Sequence, residues 1–220
     1  MAPTAPRAPT TGRLVVLEGI DGAGTTTQAA RLAERLRAER MLVRVTREPS
    51  DGPVGTLVRQ VLTGRVVVPG GLAPGWATMA LLFAADRMDH VESEIEPFLA
   101  QGGVVVSDRY DASSLAYQSV SSGAAKDAVE WIRTLNRYVR RPELTIVLDV
   151  PPDVAVERRL QRGEAAQLYD QSEVQRALAE FYRNLALHMP ADRVRLVDGS
   201  GPVTDVQERV WATYQQAFYP

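Results

Sequence analysis

The sequence predicts an α/β fold in which a five-stranded parallel sheet is flanked by helices. Short β-branched runs alternate with longer segments of helical periodicity, which is the pattern of successive βαβ units. Several runs are almost wholly apolar until they end in a charged residue, as expected of strands covered by helices on both faces. The five strand candidates are Arg13–Gly19, Leu42–Glu48, Gly103–Arg109, Leu144–Val150 and Arg193–Gly199.

The first strand candidate leads into a glycine-rich loop, Gly19–Gly24, and then into a predicted amphipathic helix over Thr25–Arg40. A glycine-rich turn between a strand and a helix N-terminus presents backbone N–H groups to phosphate, so this context predicts a phosphate-binding loop. In that motif a lysine follows the last glycine, whereas this chain has Thr25, and Thr26 takes the place of the hydroxyl that binds Mg²⁺. With the lysine missing, an ordinary strand-to-helix turn is an equal alternative for this motif alone.

The next motif is an apolar helix, predicted over Leu81–Val91, that is interrupted by Asp86 and Arg87. Phe83 and Arg87 are four residues apart and share one face of the helix, where they can address an aromatic base and a phosphate group. Taken alone, the pair is more typical of a core phenylalanine and a solvated arginine. The preceding segment Gly64–Trp76 is rich in Gly and Pro and predicts a loop between helices.

The third strand candidate ends in Asp108 and Arg109, just before a predicted helix start. Asp108 can reach Mg²⁺ through water, and Arg109 can clamp phosphate with paired N–H groups. The two can also be a surface ion pair, but that alternative explains neither the glycine loop nor the helix of Phe83 and Arg87. Open α/β sheets bind ligands at the carboxyl ends of their strands, so one crevice is expected to gather the polar strand ends. These are Glu18, Arg47, Glu48, Asp108, Arg109 and Asp149.

Length and composition exclude several classes of protein. A chain of 220 residues can bury one sizeable core, so we expect a disordered Pro-, Ala- and Thr-rich tail over residues 1–12 and a single domain over residues 13–220. The 25 basic and 27 acidic side chains nearly balance, which favours neither nucleic acid nor an anionic membrane as a partner. Cysteine is absent, which excludes disulfides and thiolate metal sites, and no apolar run approaches the roughly 20 residues of a membrane-spanning helix. A cytoplasmic protein is expected.

Four segments taken together resemble thymidylate kinases. The segments EGIDGAG (Glu18–Gly24), TREP (Thr46–Pro49), LLFAADR (Leu81–Arg87) and DRYDASSLAYQ (Asp108–Gln118) occur in the order found in that family. The Asp-Arg-Tyr segment is the most specific mark, because deoxynucleoside kinases of the same architecture carry a serine where this chain has Tyr110. The resemblance covers the chain from about Arg13 onward. It implies a three-layer P-loop nucleoside monophosphate kinase fold, an ATP- and Mg²⁺-dependent conversion of dTMP to dTDP in dTTP biosynthesis, and a homodimer.

The resemblance also implies residues for the acceptor side. Asp21 touches the sugar 3′-hydroxyl, Phe83 stacks on thymine, and Tyr117 screens out a ribose 2′-hydroxyl. Three arginines hold the acceptor phosphate, namely Arg47, Arg87 and Arg109. Ser113, Ser114 and Gln118 match the segment near the base. The full set of implied substrate contacts is Asp21, Arg47, Glu48, Phe83, Arg87, Arg109, Ser113, Ser114, Tyr117 and Gln118.

For the donor side, the resemblance implies that ATP lies on the glycine loop and the first helical turn. The residues concerned are Gly19, Asp21, Gly22, Ala23, Gly24, Thr25, Thr26 and Thr27. Thr26 and Asp108 are the implied Mg²⁺ ligands. Residues 157–170 resemble a mobile lid in which Arg158 and Arg162 match best, although its second half lacks an arginine that many relatives have. Val197–Pro202 resembles the loop that holds adenine. The alternative for this segment is an arginine-rich helix whose charged side chains only face solvent.

The missing lysine leaves the strength of catalysis open. The attacking phosphate oxygen is largely ionised near neutral pH, so no strong general base is needed, and His90 and His188 are expected to be structural or exposed. Asp108, Arg109, Arg158 and Arg162 are the predicted catalytic residues, and Arg162, or Arg158 or Arg159, is the hypothesised source of the missing charge. Two alternatives remain open. One is a nucleotide-binding protein with little or no kinase activity, and the other is a kinase for another nucleoside monophosphate.

Overall fold

The computed structural model describes residues 12–123, 125–163 and 171–219, and it confirms the predicted α/β class. Within these residues, five parallel strands form one sheet in the order β2-β3-β1-β4-β5. Their bounds are β1 Arg13–Glu18, β2 Val43–Arg47, β3 Val104–Asp108, β4 Leu144–Asp149 and β5 Val194–Asp198. All five strand candidates are confirmed. Each strand ends one residue before its predicted end, so Glu48 and Arg109 lie just after β2 and β3, whereas Glu18 and Asp149 are the last residues of β1 and β4.

Helices connect these strands, as the alternating pattern predicts. Their bounds are α1 Thr25–Ala38, α2 Pro53–Leu62, α3 Trp76–His90, α4 Glu96–Leu99, α5 Asp111–Ser121, α6 Ala128–Leu135, α7 Pro152–Arg162, α8 Ser172–Arg183, α9 Leu185–His188 and α10 Val203–Phe218. A π-helical turn over Val91–Ile95 joins α3 to α4. The first helix ends two residues before its predicted end, because Arg40 adopts a positive φ of 62° that a right-handed helix cannot contain.

The predicted interhelical loop, Gly64–Trp76, joins α2 to α3, although Trp76 itself begins α3. One isolated antiparallel bridge within it pairs Val68 with Leu72. Among the described residues, no helix combines the length and apolar character needed to cross a lipid bilayer.

The central strand β1 shows why the fold has three layers. Leu14 and Val16 pack into one buried cluster with Phe98, while Val15 and Leu17 pack into a second, larger one. Side chains alternate between the two faces of a strand, so these apolar residues fill the core on both sides of the sheet. The strand pairs with β3 on one edge and β4 on the other. The carboxyl end of β1 therefore lies at the middle of the ligand-binding edge of the sheet.

Candidate active site

The glycine loop turns sharply between β1 and α1 and lies against α7. Gly22 and Gly24 have φ angles of 95° and 96°, in the left-handed region that side chains disfavour. A Cβ on Gly22 would lie 2.3 Å from the carbonyl oxygen of Ala155 in α7, so the loop and that helix approach each other too closely for any side chain. Gly24 stands at the N-cap of α1 and faces open space. The N–H groups of the first helical turn, which have no partner within the helix, remain available to an anion.

A hydrogen bond joins this loop to the end of β3. The hydroxyl of Thr26 donates to Oδ2 of Asp108, so the phosphate-binding turn and the Asp-Arg strand end share one cleft. Oδ1 of Asp108 is buried and has no hydrogen-bond partner among the described residues. A carboxylate oxygen without a donor, next to a threonine hydroxyl, suits Mg²⁺, which prefers hard oxygen ligands and takes the others from water and phosphates. In the described ranges, no group of three or more His, Cys, Asp or Glu residues forms a ready-made metal cage.

Arg109 occupies the centre of the cleft in a constrained conformation. Its φ is 73°, unusual for a residue with a side chain, and its backbone N–H donates to the carbonyl of Leu17 at 2.9 Å. Its guanidinium donates from Nη1 to the carbonyl of Gly19 at 2.9 Å and from Nη2 to Oδ1 of Asp21 at 2.6 Å. It also lies 5.3 Å from the ring centre of Tyr117. Burial alone lowers the pKa of Arg109, but Tyr117 and Asp21 raise it well above its ordinary value, so the charge is permanent.

Glu18, the last residue of β1, is fully buried beside Arg109. Oε1 accepts hydrogen bonds from the backbone N–H groups of Tyr110 at 2.8 Å and Ser113 at 3.1 Å. Oε2 accepts from the hydroxyls of Ser113 at 2.7 Å and Tyr182 at 3.0 Å. Burial raises the pKa of Glu18 to about 7, although Arg109 and these donors act in the opposite direction. The sequence indicated Glu18 only as a polar strand end.

Arg87 is fully buried in α3, and protein groups surround its guanidinium. Its Nε donates to Glu48 at 2.8 Å, Nη1 to Asn136 at 2.5 Å, and Nη2 to the hydroxyl of Ser114 at 3.0 Å and the carbonyl of Tyr110 at 3.1 Å. Burial lowers the pKa of Arg87, yet Glu48 and Asp111 raise it above its ordinary value. Because a buried carboxylate already balances this charge, contact with a phosphate would have to compete with the existing partners.

Most of the predicted substrate residues line one cavity between α3, α5 and the strand ends. Phe83 and Arg87 form one wall from α3, as their spacing predicts, and Gln118 lies on α5. The amide of Gln118 is only 1% exposed, and neither its nitrogen nor its oxygen has a hydrogen-bond partner within the described residues. A buried amide without partners is costly unless a ligand satisfies it. The lining residues are Asp21, Glu48, Pro49, Leu62, Phe83, Arg87, Arg109, Tyr110, Ser113, Ser114, Tyr117 and Gln118.

Of the six polar strand ends, Glu48 and Arg109 line this cavity, whereas Glu18, Arg47, Asp108 and Asp149 do not. Arg47 is exposed and pairs with Asp51 at 2.8 Å, and Asp149 accepts a hydrogen bond from Arg183 of α8 at 2.9 Å. The expectation that one crevice gathers all six strand ends therefore holds only for part of the set. Pairing within the sheet still places Arg47 opposite Asp108, at the rim of the site.

The arginine-rich segment is only partly described. Residues 164–170 of the predicted lid and the side chain of Arg162 lie outside the described part of the chain. Arg158 lies within it, on α7, and donates to the carbonyls of Ala23 at 3.3 Å, Gly199 at 3.1 Å and Gly201 at 3.4 Å. Arg158 thus connects the glycine loop to the segment after β5 that was predicted to hold adenine. This contact is a specific one, unlike the solvated face that was the alternative.

Sequence reasoning missed the polar residues that hold the predicted ones in place. Tyr182, on α8, donates to Glu18, and Asn136, just after α6, accepts from Arg87; neither lies in a motif. His90 is buried, as expected of a structural histidine, with its ring nitrogens 2.7 Å from Thr46 Oγ1 and 3.3 Å from Glu48. His188 is partly buried and stacks on Phe181 at 4.3 Å. The TREP segment could have suggested a partner for Arg87 through Glu48, but no spacing rule connects the two.

A parallel α/β sheet with a glycine-rich loop at the end of its central strand, a Thr-Asp pair and a clustered arginine defines the P-loop class of nucleotide-binding proteins. Residues 17–210 match the family model described as thymidylate kinase. The chain belongs to the thymidylate kinase family.

Individual relatives agree with this assignment. The chain is 39% identical over 213 residues to the thymidylate kinase of Rhodopseudomonas palustris strain BisB18, which covers 95% of this chain and 91% of that protein. It is 38% identical to a probable thymidylate kinase of Pyrococcus abyssi (91% of this chain, 95% of that protein). It is 39% identical to one of Pyrobaculum calidifontis (92% and 96%). The similarity therefore extends over nearly the whole length of this chain and of each relative.

Proposed function

We propose that this chain is an active thymidylate kinase that transfers the γ-phosphoryl group of ATP to the 5′-phosphate of dTMP, giving ADP and dTDP. The observation that carries the proposal is the shared cleft, in which Thr26 at the glycine loop is hydrogen-bonded to Asp108 and Arg109 follows directly. Phosphoryl transfer depends chiefly on bringing two anions into line and stabilising their charge. A donor loop and an acceptor cavity that meet at an arginine meet that requirement.

On the acceptor side, the cavity is lined by both apolar and charged residues. Phe83 and the unpartnered amide of Gln118 suit a nucleobase, because a ring can stack on Phe83 while the amide bonds its polar edge. Arg109 also lines the cavity and donates to Gly19 and Asp21 of the glycine loop. The sugar contact of Asp21, the 2′-hydroxyl screen at Tyr117 and the phosphate contacts of Arg47, Arg87 and Arg109 remain predictions, and the geometry favours Arg109 among the three arginines.

On the donor side, the loop amides would hold the phosphates of ATP, and Thr26 with Asp108 would hold Mg²⁺ together with water and phosphate oxygens. Bound Mg²⁺ supplies positive charge that offsets the charge of the phosphates. Thr25 is only 6% exposed and offers a hydroxyl without charge. Arg158 already contacts the loop, at the carbonyl of Ala23, and we propose that its guanidinium supplies positive charge on the donor side. The predicted role of Arg162 remains a prediction.

The proposal is tested by ADP release with ATP, Mg²⁺ and a panel of acceptors: dTMP, dUMP, dCMP, dGMP and the ribose analogue of dTMP. We expect the highest kcat/KM with dTMP. Arg109→Met should lower kcat/KM for dTMP by about 10³-fold, the scale of an arginine at a phosphoryl-transfer site. Arg35→Met is the matched control, because Arg35 lies on α1 and pairs with the exposed Glu208 away from the cleft.

Two other outcomes would contradict the proposal. A different monophosphate as the preferred acceptor would point to a kinase of other specificity. No ADP release with any acceptor, together with stabilisation of the fold by ATP, would point to a nucleotide-binding protein, the alternative that Thr25 motivates. A homodimer and a cytoplasmic location, both expected from the family likeness and composition, remain predictions.

A further inference from the structure

Tyr182 brings a distant helix into contact with the catalytic cleft. It lies on α8, is 3% exposed, and donates its hydroxyl hydrogen to Oε2 of Glu18 at 3.0 Å. The hydroxyl oxygen of Tyr182 also lies 3.1 Å from Oγ of Ser113 and 3.5 Å from Nη1 of Arg109. One hydroxyl on α8 therefore contacts groups from β1, α5 and the residue that follows β3.

The buried carboxylate of Glu18 depends on the Tyr182 hydroxyl for one of its four hydrogen bonds. Each oxygen accepts two hydrogen bonds, and the pair from Ser113 Oγ and Tyr182 serves Oε2. A buried carboxylate that loses a donor retains the full cost of its desolvation, so its surroundings rearrange to recover the bond. The single hydroxyl hydrogen of Ser113 is already donated to Oε2, so the donor able to move toward the carboxylate is the neighbouring Arg109 guanidinium.

Arg109 is sensitive to such a rearrangement because its position is already constrained. Its backbone is held at a φ of 73°, which persists only where surrounding contacts maintain it. Its Nη1 is shared between the carbonyl of Gly19 at 2.9 Å and Oγ of Ser113 at 3.2 Å. If the Arg109 guanidinium moves toward Glu18 to replace the lost donor, it gives up these contacts, which aim it at the cleft.

We infer that Tyr182 is a positioning residue for Arg109: through Glu18 and Ser113 it fixes the guanidinium at the place where the acceptor phosphate binds. The inference rests on the proposed function, since it names a residue that serves the same site. It goes beyond the predicted site residues, which all lie in the motifs or on α7. Tyr182 does not line the acceptor cavity, so it acts through other residues and does not touch the substrate.

The test is Tyr182→Phe, which keeps the buried ring and removes only the hydroxyl. We expect the KM for dTMP to rise about 10-fold, the scale of one hydrogen bond to a charged group. The KM for ATP should change by less than about twofold, because the donor loop keeps its contacts. Tyr214→Phe is the matched control: Tyr214 is equally buried on α10, and its hydroxyl lies 3.5 Å from Nη1 of Arg13, away from the cleft.

A double-mutant cycle separates positioning from simple packing. In a Glu18→Gln background, the rise in KM for dTMP caused by Tyr182→Phe should largely disappear, because the two residues act along one path. An equal effect in both backgrounds would overturn the inference, as would a Tyr182→Phe enzyme that behaves like the Tyr214→Phe control. The wild-type rate with dTMP, measured in the same assay, reports the proposed function separately.

Discussion

Thr25 is the residue at which this chain departs from the phosphate-binding motif. It begins α1 and is almost completely buried, and its hydroxyl carries no charge. Arg158 contacts the glycine loop from α7. The missing lysine therefore has two explanations. Either the site is impaired, or its positive charge comes from another residue such as Arg158.

Two variants decide between these explanations. Thr25→Lys should raise kcat with dTMP by less than about 10-fold if Arg158 already supplies donor-side charge, whereas Arg158→Ala should lower kcat by about 10²-fold or more, toward the range for removal of an arginine from a phosphoryl-transfer site. Steady-state kinetics at saturating ATP measure both. Arg195→Ala, an exposed arginine on β5, should leave kcat unchanged. A gain of 10³-fold in Thr25→Lys would instead mean that the natural site is impaired.

At the scale of elements, the glycine loop approaches α7 closely, at Gly22 and Ala155. The carbonyl of Ala155 occupies the space in which any Gly22 side chain would begin. The loop and α7 are therefore fixed relative to each other by backbone contact, and Arg158, three residues further along α7, is fixed with them. Movement of α7 would shift both the phosphate-binding amides and this arginine.

Gly22→Ala tests the contact. We expect the free energy of unfolding to fall by about 1–3 kcal/mol from backbone strain, with a further loss from the overlap with Ala155, and the KM for ATP to rise. Gly64→Ala is the matched control, since Gly64 has a φ of 70° with nothing within 4 Å of an added Cβ. Chemical denaturation and ATP kinetics provide the measurements. Equal destabilisation in the two variants would mean that α7 shifts away from the loop with little loss of stability.

The elements also show what the sequence can reveal. The strands were predictable to within one residue because β-branched runs end near charged residues, although the edge strands β2 and β5 are largely exposed, and the glycine loop was predictable because its spacing is fixed by backbone chemistry. The pairing of Arg87 with Glu48 and Asn136 was not predictable, because it depends on where α3 and α6 pack. The bond from Tyr182 to Glu18 joins residues 164 positions apart, and no periodic pattern marks such a contact.

At the scale of the whole molecule, one buried carboxylate couples stability to pH. Glu18 lies among Arg109, Tyr182 and Tyr117, and burial raises its pKa from 4.5 to about 7. A raised carboxyl pKa means that the folded protein holds the proton more tightly than the unfolded chain does. This residue therefore contributes stability that is fully present below pH 4.5 and is lost as the pH rises toward 7.

The prediction is best measured as a difference between wild type and Glu18→Gln. The free energy of unfolding of wild type relative to the variant should fall between pH 4.5 and 7, by on the order of 3 kcal/mol in total, and level off above pH 7. Urea denaturation at a series of pH values gives the difference. Glu208→Gln, an exposed glutamate, should give a nearly constant difference from wild type. A flat profile for Glu18→Gln would show that Glu18 ionises at its ordinary pKa.

The end of β1 has a practical consequence for redesign. Glu18 supports the acceptor half of the cleft and Gly19 opens the donor half, so the last residue of β1 and the first residue of its loop serve one half each. An engineer who seeks a new acceptor base should therefore leave that strand untouched and vary Phe83 on α3 and Gln118 on α5, which line only the acceptor cavity. Substitutions at the strand end would alter recognition of both nucleotides at once.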